Sequence, residues 1–314
     1  MTIRALELYC GIGGFTAAAA GTNLRVTGAL DQSPSALSAY RNNFPGEAVR
    51  QVNLETVTSR ELEPFGAAFW WMSPPCQPYT VRGVRRDLND ARAISFIRLM
   101  GIVEAMPEGA LPSHLALENV AGFGESEARR RLVEILDGRG YGFQETFLCP
   151  MDLGVPMRRP RYYLAASRRR LAPYRHSITG EMRPLSRYLD TAYQEKTPED
   201  LTVSSEVLEK FGPGLRILDA SDPSAYTTCF TSGYGRSIMH SGSYLHVKGG
   251  VRRFSPEEIL RLLGFPEGYR FPGGVSLRKK WQLAGNSLSV TAVREILKAF
   301  PDVTAVKKTD RPES

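Results

Sequence analysis

The sequence predicts an α/β protein: a doubly wound, mainly parallel sheet carrying a smaller second region. Three observations point there. Strand-like and helix-like segments alternate through the first 167 residues, the order that builds parallel sheets. The first strand-to-helix passage is a glycine-rich turn, Gly11-Ile12-Gly13-Gly14. From about residue 168 the periodicity weakens, and the chain becomes rich in Arg, Pro, Gly, Ser and Tyr.

Residues 5–9 read as the first strand, and 15–20 as the helix beyond the turn. Strand, glycine turn, helix is the layout of a nucleotide-binding unit, in which backbone approaches a ligand and helix N–H groups face it. The spacing is not G-x-G-x-x-G, so it does not announce a dinucleotide pyrophosphate. Residues 26–30 read as the second strand, ending at Asp31. An acid there commonly grips ribose hydroxyls. The competing reading is an N-cap for the helix beginning at Pro34. A helix over 34–43 and a short strand near 48–52 follow.

The apolar run 67–72 then reads as a buried strand leading into Ser73-Pro74-Pro75-Cys76-Gln77-Pro78. Neither of the first two prolines can donate a ladder hydrogen bond, so the strand stops and Cys76 stands just past its end on stiff backbone. In an open α/β sheet ligands bind at that edge. A thiol there is placed to act as a nucleophile once deprotonated. The alternative is a small buried apolar residue. The segment 79–90 carries Arg82, Arg85 and Arg86, suited either to phosphate or to a solvated loop.

Residues 92–106 have helical apolar spacing. Residues 114–117 read as a strand ending in Glu118-Asn119-Val120. Glu118 is thus a carboxylate at the same edge as Cys76, either an acid for catalysis or a helix cap. A basic amphipathic helix is expected over 126–138, then paired strands over 143–149 and 161–166. Between the latter lies Val155-Pro156-Met157-Arg158-Arg159-Pro160-Arg161, whose arginines suit a negatively charged substrate or structural carboxylates.

The region 168–250 holds Cys229-Phe230-Thr231-Ser232-Gly233-Tyr234-Gly235 and several tyrosines, able to stack on bases or to fill a small core. Ser255-Pro256-Glu257-Glu258 starts a helix through residue 263: serine N-cap, proline at the first position, acids in the first turn. Gly285-Asn286-Ser287 precedes a last helix to residue 300. The expected division is 1–167, a second region 168–277, a return to the first over 278–306, and a disordered tail 307–314.

Composition sets limits. The chain has 314 residues, 42% hydrophobic and 23% charged, with net charge +7. The basic surplus permits a polyanionic partner. No apolar run approaches the ~20 residues needed to span a bilayer. Cys10, Cys76, Cys149 and Cys229 are scattered without C-x-x-C, and the four histidines show no ligand pattern. No metal site is expected, and a reducing cytoplasm is.

Taken together, Tyr9-Cys10-Gly11-Ile12-Gly13-Gly14, Ser73-Pro74-Pro75-Cys76-Gln77, Glu118-Asn119-Val120, Arg159-Pro160-Arg161 and Gly285-Asn286-Ser287 resemble the cytosine-C5 methyltransferase family, in the family's motif order and over nearly the whole chain. Residues 254–266 are similar to that family's late motif. Pro-Cys-Gln separates it from exocyclic-amine methyltransferases, which lack the thiol. Cys229 to Gly235, and the form Ser-Pro-Pro-Cys-Gln-Pro, are similar to the branch that methylates tRNA. Met157 departs from the glutamine or asparagine the family often has there.

The resemblance implies a Rossmann-like S-adenosylmethionine-dependent enzyme, with 1–167 catalytic and 168–277 recognising the target. It implies Cys76 as nucleophile toward C6 of cytosine, Glu118 at N3 and the amino group, and Arg161 with Arg159 near the base carbonyl or supporting the nucleophile's loop. It assigns the donor to Tyr9, Gly11, Ile12, Gly13, Gly14, Asp31, Asn53, Leu54, Pro75, Asn286 and Ser287. Substrate contacts fall to Arg82, Arg85, Cys229, Phe230, Thr231 and Tyr234. The expected partner is tRNA in preference to DNA, with no membrane and no obligate protein partner. A catalytically silent nucleic-acid-binding protein is the alternative of another class, and the intact Cys76, Glu118 and Arg161 argue against it.

Overall fold

The computed structural model describes residues 1–80, 86–174 and 181–306. Arg82, Arg85 and the expected tail 307–314 lie outside the described residues. The chain forms two compact units. The first is Met1–Leu148, Pro160–His176 and Val293–Ser314; the second is Cys149–Arg159 and Ser177–Ala292.

The first unit is built on a seven-stranded sheet. Its strands are β1 (Ile3–Leu8), β2 (Leu24–Asp31), β3 (Val49–Gln51), β4 (Phe69–Met72), β5 (His114–Val120), β6 (Gly142–Leu148) and β7 (Arg161–Ser167). They lie in the order β3-β2-β1-β4-β5-β7-β6. The first five run parallel, while β7 is antiparallel to both β5 and β6. The helices between them are α1 (Gly14–Ala19), α2 (Pro34–Asn43), α3 (Ser59–Leu62), α4 (Ile94–Ala105) and α5 (Glu127–Gly138). The strand order reverses between β1 and β4, and at such a switch the loops leaving neighbouring strands diverge and open a crevice.

Strand β4 explains why the sheet sits where it does. Phe69, Trp70, Trp71 and Met72 are all buried, as a parallel strand covered on both faces must be. Phe15 of α1 stacks on Phe69 and Trp71, with ring centroids 5.7 and 5.2 Å away. At the opposite end of the sheet, His114 Nδ1 lies 2.9 Å from Ser167 Oγ, and Nε2 lies 2.8 Å from Asp302 Oδ2. That histidine is satisfied and buried.

The second unit contains a small sheet that periodicity does not announce: β8 (Ile217–Leu218), β9 (Tyr244–Val247) and β10 (Gly250–Arg253), in the order β10-β9-β8. Strands of two to four residues are too short to show an alternation. Its helices are α6 (Ala192–Glu195), α7 (Ser205–Phe211), α8 (Pro256–Leu263) and α9 (Leu277–Asn286); α10 (Val290–Leu297) follows. Helix α8 starts as its sequence predicts, with Ser255 and Glu258 forming a capping box. Glu258 also forms a fully buried ion pair with Arg252, 2.8 Å apart.

By compactness this second unit is wider than the expected 168–277. It takes in Cys149–Arg159 and the chain through Ala292, while 168–176 belong to the first unit. One side chain shows why: Arg159 is tied to main-chain carbonyls at 230, 285 and 287.

Candidate active site

Three turns leave the first unit's sheet at one edge. Met72, the last residue of β4, is in register with Leu8 of β1 and Leu117 of β5. The Tyr9–Gly14 turn, the Cys76 turn and Glu118 therefore occupy neighbouring strand ends. The Cys76 turn is held from both sides. Ser73 N–H donates to the Leu8 carbonyl at 3.3 Å, and Asn119 Nδ2 donates to the Pro74 carbonyl at 3.2 Å. Trp71 Nε1 donates to Ser73 Oγ at 2.8 Å, and Tyr79 N–H to the Cys76 carbonyl at 3.0 Å. Cys76 itself is half-buried and in no disulfide. A fixed, partly accessible thiol suits nucleophilic work.

Glu118 is 9% exposed. Its Oε1 lies 3.3 Å from Nε of Arg161, which opens β7 opposite Val120. Glu118 stands in β5, next to the strand that leads into the Cys76 turn, and Arg161 in β7 on the far side of β5. Two residues that sequence reading overlooked stand beyond that turn. The Asp90 carboxylate accepts from Arg92 N–H, Nε and Nη2 at 3.0, 2.8 and 2.6 Å. These bonds hold the Arg92 guanidinium above its ordinary pKa, and negative charge on Cys76 adds to the effect. Arg92 is thus within electrostatic reach of the sulfur.

The glycine turn has the form of a ligand cradle. Tyr9, Gly11 and Gly13 all have positive φ, at 57°, 52° and 87°. At Gly13 a Cβ would lie 2.5 Å from the Phe44 ring, so only glycine fits. Tyr9 donates its hydroxyl to Ser95 Oγ at 3.0 Å, and Ile12 is buried beneath the turn. Of the two parts expected of Asp31, the helix cap falls to another residue. Ser33, not Asp31, caps α2. Asp31 Oδ2 accepts the Gly11 N–H at 2.9 Å and Oδ1 the Ser33 N–H at 2.8 Å. A carboxylate oxygen has a second lone pair, so a bracing Asp31 retains capacity for a hydroxyl. Burial pushes its carboxyl above the ordinary value.

Beneath the turn lies Glu7, 1% exposed and unanticipated. It accepts from Phe15 N–H at 3.0 Å, Thr16 Oγ1 at 2.7 Å and the Tyr40 hydroxyl at 3.2 Å. Burial pushes its carboxyl up to about 7, against the pull of those three donors. A charged residue inside the apolar run Ala5-Leu6-Glu7-Leu8-Tyr9 is the signal that could have found it. Asn53 is exposed near the end of β3, its Oδ1 accepting the Glu55 N–H. Leu54 corrects an expectation: it is buried in the core with Leu30, Val57 and Leu62 and has little face to offer a ligand. Pro75 is half-buried in the Cys76 turn.

The second unit holds the remaining candidates. Arg159 is 4% exposed. It donates to the Phe230 carbonyl at 3.0 Å, the Gly285 carbonyl at 3.3 Å, Cys229 Sγ at 3.1 Å and the Ser287 carbonyl. This knots the 229–231 loop to the end of α9. At Gly285 a Cβ would meet the Thr231 carbonyl oxygen at 2.3 Å, so that approach also needs glycine. Asn286 is exposed at the helix end.

Phe230 and Tyr234 correct the expectation of substrate contacts. Phe230 is buried edge-on to Tyr234 and Phe254, and Tyr234 packs on Trp281. The Tyr234 hydroxyl donates to the Ser243 carbonyl at 2.7 Å and accepts the Phe254 N–H at 3.0 Å. These rings are core, not a stacking platform. Thr231 is exposed and Cys229 half-buried. Met157 is fully buried, in a bridge with Thr227, so an apolar side chain suits its place.

A serine–histidine–aspartate arrangement at Ser167, His114 and Asp302 offers no rival site. Ser167 is buried and its hydroxyl accepts the Arg169 N–H at 2.8 Å, leaving no path for a substrate. Among the described residues no His, Cys, Asp and Glu cluster suited to a metal is present, and no helix is long and apolar enough to cross a membrane.

The family model for C-5 cytosine-specific DNA methylase matches residues 3–210 and 186–301. A tRNA (cytosine(38)-C(5))-methyltransferase of Spodoptera frugiperda is 29% identical over 335 residues, covering 95% of this chain and 99% of that protein. A DNA (cytosine-5)-methyltransferase of Dictyostelium discoideum is 28% identical, covering 95% and 94%. The solved Entamoeba histolytica methyltransferase superposes with a TM-score of 0.85 at 26% identity, covering 96% of this chain and 99% of that one.

Proposed function

The chain belongs to the C-5 cytosine-specific DNA methylase family, and from that premise we propose that this cytosine-C5 methyltransferase acts on a tRNA anticodon-loop cytosine, with S-adenosylmethionine as donor and a covalent Cys76 adduct. The observation that carries the chemistry is the shared sheet edge. There a stiffly held thiol, a carboxylate–guanidinium pair and a glycine cradle leave neighbouring strands. The full-length similarity to a protein named for tRNA cytosine-38 supports RNA over DNA. A cytosine in an RNA loop is also already partly unstacked, which lowers the cost of reaching it.

The residues fit the donor. The left-handed turn at Tyr9, Gly11 and Gly13 brings main chain to a ligand without side chains in the way, and Asp31 retains acceptor capacity for ribose. Ile12, Gly14, Asn53 and Pro75 border the same strand ends, and the family resemblance alone implies Asn286 and Ser287. When bound, the donor supplies an electrophilic methyl group.

Cytosine C5 is a poor nucleophile. Addition of the Cys76 thiolate to C6 forms an S–C bond and pushes the ring electron pair toward N3, making C5 enamine-like. Glu118, held beside Arg161, supplies or shares the proton that stabilises N3, and Arg161 offers positive charge to the carbonyl side. With C5 methylated, water takes the C5 proton, the freed pair re-forms C5=C6 and expels the Cys76 thiolate, and N3 returns its proton to Glu118. Arg159 fixes loops of the second unit.

The test is incubation with radiolabelled S-adenosylmethionine and, separately, total tRNA and genomic DNA, with Cys76→Ala as control. Label recovered as 5-methylcytosine in tRNA supports the proposal. Label in DNA alone would overturn the substrate while keeping the chemistry. Donor binding without transfer to either would point to a missing specific substrate or partner, and no donor binding at all would favour a silent nucleic-acid-binding protein.

A further inference from the structure

We propose that Asp87 is a positioning residue. It clamps residues 86–93, which pack against the turn after Cys76, onto the helix that follows Glu118, and so holds the two reacting groups at one separation. The inference rests on the methyl-transfer reading of this site. It concerns Asp87 and the flanking described residues, all within the first unit.

Asp87 reaches forty residues along the chain. Its Oδ2 accepts the Glu127 N–H at 2.7 Å and its Oδ1 the Ala128 N–H at 3.1 Å. These are the first two amides of α5, which no earlier turn of that helix can satisfy. The helix already has its own cap: Ser126 Oγ accepts the Arg129 N–H at 3.0 Å. A second, remote carboxylate therefore completes an N-terminus that its own sequence caps only in part. The negative charge is favoured there by the helix dipole as well as by the two bonds.

The backbone at Asp87 supports a specific purpose. Its φ is +51°, in the left-handed region that glycine enters freely and aspartate at a modest cost. A turn needing only that conformation would be better served by glycine. The side chain is what the position requires. The neighbouring turns are closed by Asn89 N–H to the Arg86 carbonyl, Asp90 N–H to the Asp87 carbonyl and Ala93 N–H to the Asp90 carbonyl, at 2.9, 3.1 and 2.8 Å. Asp90 adds its triple grip on Arg92. The stretch from 86 to 93 thus moves as one piece, and Asp87 is its attachment to α5.

A second contact joins the same two segments. Tyr79, three residues beyond Cys76, meets Phe123 edge-on, with ring centroids 4.9 Å apart. Phe123 stands between the end of β5 and the start of α5. Two braces, one aromatic and one charged, therefore tie the chain after Cys76 to the chain after Glu118. Displacement of a reacting group by about 1 Å can cost roughly 10²-fold in rate, so a clamp of this kind acts on turnover more than on binding.

Three proteins test it: wild type, Asp87→Gly, which relieves the backbone and removes the clamp, and Asp87→Asn, which keeps one acceptor oxygen. The expected result is a kcat lowered about 10- to 100-fold in Asp87→Gly, donor Kd within about twofold, and partial recovery in Asp87→Asn. Peptide-resolved alkylation of Cys76 by iodoacetamide, without RNA, should run at a different rate in Asp87→Gly than in wild type. An unchanged kcat in Asp87→Gly overturns the proposal. So does a loss of kcat that only parallels equal losses in donor binding and melting temperature, which marks a purely structural cap. If wild type methylates neither RNA nor DNA, the reading of the site fails instead. The alkylation comparison then decides the clamp, equal rates overturning it.

Discussion

Arg159 and Arg161 are two residues apart and do unlike things. Arg159 is buried in the second unit, its guanidinium committed to main-chain carbonyls and one sulfur. Arg161 opens β7 in the first unit, its Nε 3.3 Å from the Glu118 carboxylate. One guanidinium organises loops; the other meets a titratable group at the reactive edge. An arginine's role is therefore read from the acceptors its planar fork finds, and nearness in sequence says little about it. The same division separates the units: the proposed chemistry stands at strand ends of the first, and the candidates of the second form knots of main chain and aromatic core.

The sharpest test of that division is the largest effect. Cys76→Ala should abolish methyl transfer while leaving donor affinity and melting temperature nearly as they were. Residual turnover would sink the covalent mechanism. Glu118→Gln should lower the rate by about 10²–10⁴ with little change in folding, as loss of a general acid does; unchanged kinetics would remove Glu118 from that role.

Arg159→Met should behave in the opposite manner. Buried carbonyls at 230, 285 and 287 lose their donor, so stability should fall by about 3–5 kcal/mol, read by denaturant unfolding. Activity should fall in step with the folded fraction. Arg161→Met, in contrast, should lose rate with a smaller change in stability. If the two variants exchange these signatures, the comparison is broken.

Glu7 extends the contrast to pH. Its folded carboxyl is raised from 4.5 to about 7, chiefly by burial. The folded state therefore holds this proton more tightly than the unfolded chain. Its contribution is full below the unfolded value near 4.5 and is lost as pH rises through 7, by up to about 3 kcal/mol. Glu7→Gln should flatten stability between pH 5 and 8, and an identical slope in both proteins would refute the assignment. The smallest effect is expected at Tyr234→Phe. Loss of its two buried hydrogen bonds should cost about 1–2 kcal/mol without altering kcat per folded molecule. A selective rise in KM for RNA would restore the substrate contact that its burial argues against.

Legibility in the sequence followed chain locality. The buried strand read over 67–72 and formed at Phe69–Met72, the proline stop before Cys76, the helix over 34–43 and the serine-capped start of α8 were all readable, because each depends on residues within a turn or two. The residues hidden from view depend on distant partners. Asp31 braces Gly11 across twenty residues, and Asp87 caps α5 across forty. Leu54, Phe230 and Tyr234 looked like contact residues until packing placed them inside. Side-chain type does not say which neighbour will cover a ring.

Sequence alone determined the fold class, the strand ends that carry Cys76 and Glu118, and the family's reaction. Apolar runs, prolines and glycines act locally, and the motifs that carry the chemistry are short. Tertiary structure alone decided which arginine meets the carboxylate, which aromatics form core, and that Glu7 lies buried beneath the cradle. Those outcomes turn on desolvation and hydrogen bonding between segments far apart in the chain, and such interactions exist only once the elements have packed.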